Sequence, residues 1–500
     1  RGMRWSDGHP LTADDFVFWY EAVLLNDTIT PNKPAYLESN DELMVLAKVD
    51  DYTFTMTFAE PKVFLLHELA GQFGNQCLKP RHYLEQFHPD YADIDSLNEA
   101  AQEAGFETWD KYFVNRADYF RNPELPQVSA WILREGPPAQ RWVATRNPYY
   151  FKVDPDGNQL PYLDEVIHDV VADAEIVNFK AISGEIDFQL RHLSFENITL
   201  YKQNETAGNY QTLLWPSQWG GYLTFCLPNM TSKDPCGATD ERSALSTGPF
   251  GLFDRDDINE TFFNGLAVPR QATALSSSPV FDEDLAKLYT EYDPSRADSL
   301  LDEMGLTQRD SRGIRLGPDG EPLTLALETA SAWPWLADIG QVVAEYWQEV
   351  GIDAQIREMD RSLWQQRSDG NDFDIVTFLS PGNPFLNNWW LFPQWAHNQK
   401  PWGIWYSTRG AQGEEPPEIV RRAMSLWDQA TVTVDPDTRS DLVREILRLN
   451  TENLWSIGTV GEVPQPAIRS NRMRNIPDEA LYDTVVMTPA NIRPEQWWKE

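Results

Sequence analysis

The sequence predicts an α/β fold in two lobes, and three observations predict it. The chain has 500 residues, and single hydrophobic cores seldom grow past about 250–300. Residues 324–356 read strand, helix, strand at the spacing of a parallel sheet. Residues 140–173 read as two strands joined by a tight DPDGN turn, a β unit of another kind. This change of rhythm puts the boundary between lobes near residue 270.

The elements follow in chain order. The opening RGMRWSDGHPLTADDFVFWY has turn composition at Ser6-Asp7-Gly8, because Asp bonds its own backbone and Gly accepts positive φ at no steric cost. Thr12 is a good helix cap, and Asp14 and Asp15 sit where the helix dipole favours anions. Phe16, Trp19, Tyr20 and Val23 then recur at helical spacing. No initiator Met, charged leader or apolar leader core is visible, so the sequence reads as a fragment lacking part of its first domain. Residues 47–58 (AKVDDYTFTMTF) alternate as one half-buried strand.

In the second half, YDPSRADSLLDEMG predicts a helix capped by Asp293 with Pro294 at its first position and Gly305 after its end. TLALET (324–329) predicts a strand. Ile339, Val342, Val343, Tyr346, Trp347 and Val350 mark one helix face ending at Gly351, and IDAQI (352–356) and FDIVTF (373–378) predict two more strands. Helices are expected at about 417–430 and 436–454, the second capped by Asp435-Pro436.

Composition narrows function. Lys and Arg total 41 against 77 Asp and Glu, a net charge of −36. Such a field repels phosphate backbones and anionic lipid, so nucleic acid is excluded as a partner. No apolar run is long enough to span a bilayer. Cys77, Cys226 and Cys236 lack zinc-site spacing; Cys226 and Cys236 could close a short loop in an oxidising compartment, or all three are unrelated thiols. Five Asn-x-Thr matches are near chance and carry no weight. The chain has 20 Trp, and 12% of its residues are aromatic, against a mean hydropathy of −0.49. So many rings in a polar protein imply either thick aromatic cores or a concave surface that uses rings for contact.

Two patterns imitate catalytic or metal chemistry. Asp154-x-Asp156-x-Asn158 with Glu165 mimics a calcium loop, but Gln159 stands where glycine is needed and Pro161 interrupts. A hairpin turn is the simpler reading, and no metal is expected. Nucleophile elbow, phosphate loop, zinc-helix and dinucleotide motifs are all missing. No catalytic residue and no cofactor is assigned; a carbohydrate-active hydrolase with paired carboxylates is the rival class. The richest aromatic stretch, PGNPFLNNWWLFPQWAHNQKPWGIWYSTRG (381–410), is punctuated by Pro and Gly and reads as loop. Its Trp389, Trp390, Trp395, Trp402, Trp405 and Tyr406 either face a ligand or pack a lobe's edge. Trp215, Trp219 and Tyr222 form a smaller cluster with the same ambiguity.

WSDGHPLTADDFVF resembles the signature of the extracellular solute-binding proteins of ABC importers, in the oligopeptide- and dipeptide-binding family (family 5). Further agreement lies in RNPYYFKVDPDGNQLPYLDEV, GEIDF, INETFFNGLAVPRQA, YDPSRADSLLDEMG, GEPLTLAL, EVGIDAQI and NDFDIV, in the family's order along nearly the whole chain. The resemblance implies a type II periplasmic-binding-protein fold of two α/β lobes joined by crossing strands, with the N-terminal part missing here. Residues 1–145 would form an extra subdomain of lobe one and 146–270 lobe one itself. Residues 271–459 would form lobe two, and 460–500 the return to lobe one. WSDGHPLTADD would be a fold signature and not a binding site.

The resemblance also implies the function: a monomeric extracytoplasmic protein, periplasmic or extracellular, often anchored by an N-terminal lipid, that closes on a solute and presents it to the importer's permease subunits. A peptide-like ligand ranks first and an oligosaccharide second. Trp389, Trp402, Trp405, Tyr406 and Asn383 are the candidate ligand residues from lobe two, with Trp219 and Tyr222 from lobe one. Two departures stand out. ERSALSTGPFGLFDRDDIN carries Gly248-Pro249 and Gly251 where the family has a helix, and LSPGNPFL (379–386) offers Ser380 and Asn383 where peptide binders place an Asp for the α-amino group. A buried ammonium without a counter-ion is costly, by several kcal/mol, which weakens the reading of a free peptide N-terminus.

Overall fold

The computed structural model describes residues 2–40, 42–71, 74–217, 224–229, 253–379, 385, 392–483 and 486–500, without the side chains of 174, 224–228, 334, 379 and 397. The chain divides into two compact units, residues 1–213 with 466–480 and 484–500, and residues 214–465 with 481–483.

Unit 1 begins with the signature turn. Arg4 bridges to Pro10, and Gly8 turns the chain at φ +91° against the ring of Tyr149, which lies 2.9 Å from where a Cβ would sit. Helix α1 (Ala13–Phe18) follows and widens into a π-type turn over Trp19–Leu24. Asp15, 3% exposed, holds this corner together. It accepts from Thr12 N–H at 2.9 Å, Trp5 Nε1–H at 3.2 Å and Arg81 N–H at 3.0 Å. Phe18, Trp19, Ala22 and Leu24 then pack into a core with Leu37, Met44, Leu46, Leu84 and Phe113.

Where one strand was expected at 47–58, the chain forms a hairpin, β1 (Val45–Asp50) and β2 (Thr53–Thr57). Asp50 accepts the Tyr52 N–H at 2.8 Å, a local bond that reverses the chain. A three-stranded antiparallel sheet of β3 (Trp131–Glu135), β4 (Arg141–Arg146) and β5 (Glu165–Asp169) follows. The last two strands are the expected pair, but residues 147–164 connect them instead of a tight turn. The DPDGN segment closes its own small loop at the Val153–Gln159 bridge. Asp154 spends its carboxylate on the N–H groups of Asp156 and Asn158, the Asn158 amide and the Tyr162 hydroxyl, at 2.7–2.9 Å.

Strand β6 (Tyr210–Trp215) carries the chain from unit 1 into unit 2. Unit 2 is built on a five-stranded sheet containing β7 (Thr224–Pro228), β8 (Thr324–Ala330), β9 (Asp353–Met359), β10 (Ile375–Leu379) and β11 (Ile457–Gly458), in the order β9-β8-β10-β7-β11. The first three neighbours are parallel, whereas β7 runs antiparallel to both β10 and β11. β8 is buried along Leu325–Ala330, as a strand covered on both faces must be. Helices α2 (Arg255–Phe263), α3 (Pro294–Glu303) and α4 (Pro334–Glu349) belong to this unit. Asp293 caps α3 through the Arg296 N–H at 2.9 Å, and α4 ends at Gly351 with φ +92°. Ile339, Val343 and Trp347 of α4 are buried.

After β9 comes α5 (Arg361–Asp369), and after β10 come α6 (Lys400–Ser407), α7 (Glu418–Val432) and α8 (Pro436–Glu452). The last two pack on each other, with Val420, Met424 and Trp427 of α7 and Val443, Ile446 and Leu447 of α8 all buried, and Asp435 caps α8 at 2.8 Å. Strand β12 (Gln465–Ser470) returns to unit 1, where it lies between β6 and Phe188–Gln189.

The division therefore falls within β6 and β12 and not at residues 270 and 459. The physical reason lies in residues 214–270. β7 is an interior strand of the unit 2 sheet, and the Arg255 guanidinium, 2% exposed, donates to the Gly458 carbonyl from Nε and Nη2 at 3.0 and 2.9 Å. A cut at 270 would split one sheet. The 247–251 departure and the Cys226–Cys236 pair lie outside the described residues; Cys77 is a buried free thiol.

Candidate ligand-binding site

In open α/β sheets, ligands bind beyond the carboxyl ends of the parallel strands. In unit 2 those ends belong to β8, β9 and β10, and they carry an aromatic platform. The chain leaving β8 turns at once, with Ser331 N–H donating to the Met359 carbonyl at 2.8 Å, and so places Trp333 beside the end of β9. Asp360 caps α5 through the Ser362 N–H at 2.8 Å and sets Arg361 at the first helical position.

The Arg361 guanidinium lies over three rings, 5.1 Å from the centre of Trp333, 4.6 Å from Trp364 and 5.2 Å from Phe378. Trp364 stacks on Phe378 at 5.1 Å and 21°, and Trp333 meets Phe378 edge-on at 5.1 Å and 81°. The platform is braced from below. The Trp364 indole N–H donates to the Glu328 carbonyl at 3.3 Å, and the buried Glu328 carboxylate takes Arg367 Nε and Nη2 at 2.9 and 2.6 Å. Trp333 remains half-buried. Arg361 Nη1 is buried without a hydrogen-bond partner, and burial pulls the guanidinium pKa below its ordinary value against the opposing field of Asp369. A planar cation with an unfilled donor among ring faces is suited to a carboxylate, and the exposed part of Trp333 to any flat or apolar group.

The residues expected from sequence are placed differently. Trp402, Trp405 and Tyr406 lie on α6, so that part of the 381–410 stretch is helix and not loop. Pro401 sits in the first turn of the helix, where its missing N–H costs nothing, and the three rings fall at i, i+3 and i+4. Trp402 is 2% exposed and its indole N–H donates to Glu414 at 3.3 Å. The Tyr406 hydroxyl donates to the Asp428 carboxylate of α7; burial, then the neighbouring Asp428, raises the phenol pKa. Trp405 is half-buried. Trp395, 39% exposed, meets Trp427 edge-on at 5.3 Å. Trp219, Tyr222, Asn383 and Trp389 lie outside the described residues, as does the 379–386 loop apart from Phe385 and the backbone of Leu379.

Sequence reasoning missed Trp333 and Arg361. The signal was present in ETASAWPW and EMDRSLW, a ring and a cation just past two strands that the spacing already made parallel. Among the described residues, no group of His, Cys, Asp and Glu could hold a metal ion, and no helix is long and apolar enough to cross a membrane.

Comparison with known proteins gives the family. The model of the bacterial extracellular solute-binding proteins, family 5, matches residues 1–402. The periplasmic alpha-galactoside-binding protein of Rhizobium meliloti (strain 1021) is 27% identical over 96% of this chain and 68% of its own length. A solved structure of an oligopeptide-binding protein OppA is 37% identical over 100% of this chain and 82% of that one, with a TM-score of 0.78. The periplasmic binding protein MelB of Agrobacterium fabrum C58, solved with stachyose, is 21% identical over 100% of this chain and 74% of that one; its TM-score of 0.69 shows a shared fold. The order of strands, the signature corner and these matches converge: the chain belongs to the family 5 bacterial extracellular solute-binding proteins, the solute-capturing components of ABC importers.

Proposed function

We propose that this protein captures a peptide-like solute and that Arg361 receives a carboxylate of that solute on the ring platform of unit 2. The observation that carries the reading is the buried Arg361 Nη1 without a partner beside Trp333, Trp364 and Phe378. A carboxylate compensates that charge and fills the donor, whereas a neutral sugar could stack on Trp333 but leaves the guanidinium charge unmatched. The 37% identity to a protein named for oligopeptide binding supports the same choice. An oligosaccharide is the second reading, favoured by the name of the alpha-galactoside-binding relative and by the wealth of tryptophan.

Trp405, Tyr406, Trp219, Tyr222, Asn383 and Trp389 stay candidate contacts on the strength of the sequence. No covalent step is required of any of these groups. The protein acts as a monomer that delivers its solute to membrane permease subunits from a periplasmic or extracellular position.

Mass spectrometry of solute released from freshly purified, denatured protein is expected to show peptide masses. A hexose ladder transfers the proposal to the oligosaccharide, and steady consumption of the solute by the pure protein points to the hydrolase class. Arg361→Gln is expected to raise the Kd for a peptide ligand by about 10–100-fold, the worth of a lost charge-assisted hydrogen bond of about 1.5–3 kcal/mol. The unliganded protein should melt no lower than the parent. An unchanged Kd in titration calorimetry removes Arg361 from the site.

A further inference from the structure

Beside the signature turn, unit 1 contains a cavity of about 380 Å³, within the range of about 300–1,000 Å³ typical of small-molecule sites. Its walls are largely apolar, with Trp5, Val23, Phe113 and Leu125 among them. Two donors in the lining have little or nothing to donate to. Gln127, 7% exposed, is fixed by its backbone: its N–H donates to Ser6 Oγ at 3.0 Å and its carbonyl accepts the Ser6 N–H at 2.9 Å. Its side-chain Nε2 is buried with no acceptor.

Lys79 is the second donor. Its ammonium makes one long contact, 3.4 Å to the Ala117 carbonyl, and no ion pair among the described residues. Asp118, also in the lining, is committed to Arg121 at 3.3 Å. Burial lowers the Lys79 pKa, and Asp118 and Cys77 oppose it only in part, so the amine meets a cost that its internal neighbours do not fully offset. A buried amide without an acceptor and a cation with only one long contact, both lining one largely apolar cavity, match a ligand with two acceptor oxygens and an apolar body.

We propose that this cavity is a second binding site, separate from the unit 2 platform, for a small organic acid whose carboxylate engages Lys79 and Gln127 and whose apolar body packs on Trp5 and Phe113. The site shares no residue with the Arg361 platform and does not depend on the nature of the transported solute. Trp5 of the lining also donates to Asp15, so the cavity adjoins the corner that Asp15 holds together.

The test uses phenylacetate, phenylacetamide and acetate as probes of the whole protein, read by ligand-detected NMR and calorimetry. Phenylacetate is expected to bind saturably, one per chain. The amide lacks the charge and acetate lacks the apolar body, so each should bind at least about tenfold more weakly, the size of one charge-assisted bond or of a buried ring. Lys79→Met and Gln127→Leu should each weaken phenylacetate at least several-fold while the protein still melts cooperatively, and Arg361→Gln should leave it unchanged. Equal affinity for acid and amide, retention of binding in both cavity variants, loss of binding in Arg361→Gln, or no saturable binding at millimolar concentration each overturns the assignment. If Lys79→Met fails to fold, Gln127→Leu alone decides.

Discussion

Replacing Asp15 with alanine is expected to destabilise unit 1 by about 3 kcal/mol or more. The carboxylate is 3% exposed and satisfies three N–H groups, those of Trp5, Thr12 and Arg81, from three separate stretches of chain. Each buried donor left without an acceptor costs about 1–3 kcal/mol, and the void left by the carboxylate offers water little access. The same change also removes an anion from the first turn of α1, worth a further few tenths to about 1 kcal/mol. Asp15→Asn keeps one acceptor oxygen and should fall between the two. Urea unfolding followed by tryptophan fluorescence measures the loss, because Trp5 and Trp19 sit at this corner. A loss below about 1 kcal/mol would show that the three bonds are made to water just as well, and the corner would have to be held by packing alone.

Trp402→Ala is expected to cost about 3–5 kcal/mol of unit 2 stability, the usual penalty for emptying a buried large aromatic site. Its ring is 2% exposed, and the helix beneath it approaches so closely that a Cβ at Gly403 would lie 2.6 Å from the Gln394 carbonyl. The neighbourhood has no slack for collapse. Trp405, half-buried on the same helix, should behave the other way: alanine there costs less stability and raises the solute Kd. Thermal unfolding and calorimetry of the two variants separate these roles. A Trp402→Ala protein that melts with the parent yet loses its solute would return that residue to the ligand-contact role expected from its aromatic neighbourhood.

What could be read in advance depended on whether a signal was local. The parallel sheet was legible because β8 is apolar on consecutive positions and α4 carries one apolar face, both short-range patterns. The caps at Asp293 and Asp435 and the turn at Asp154 were legible because each residue bonds backbone within four positions. The β1–β2 hairpin was hidden by its turn. The turn is so short that only the polar pair Asp50-Asp51 interrupts the alternation, so two strands look like one. Helix α6 was hidden by the Pro and Gly around it, although its three rings keep helical spacing. The division between units was hidden because β7 finds its neighbours in residues 375–379 and 457–458, far along the chain. The platform was hidden for a similar reason. Trp333 and Arg361 come together only through the register that pairs Ala330 with Met359.

The return of the chain through β12 sets a condition on biosynthesis. Unit 2 needs β11, and unit 1 needs residues 466–480 and 484–500, so neither core is complete until those segments have been made. Domains generally fold as they emerge, N-terminal first, yet here the first 213 residues wait for residues 466–480 and 484–500.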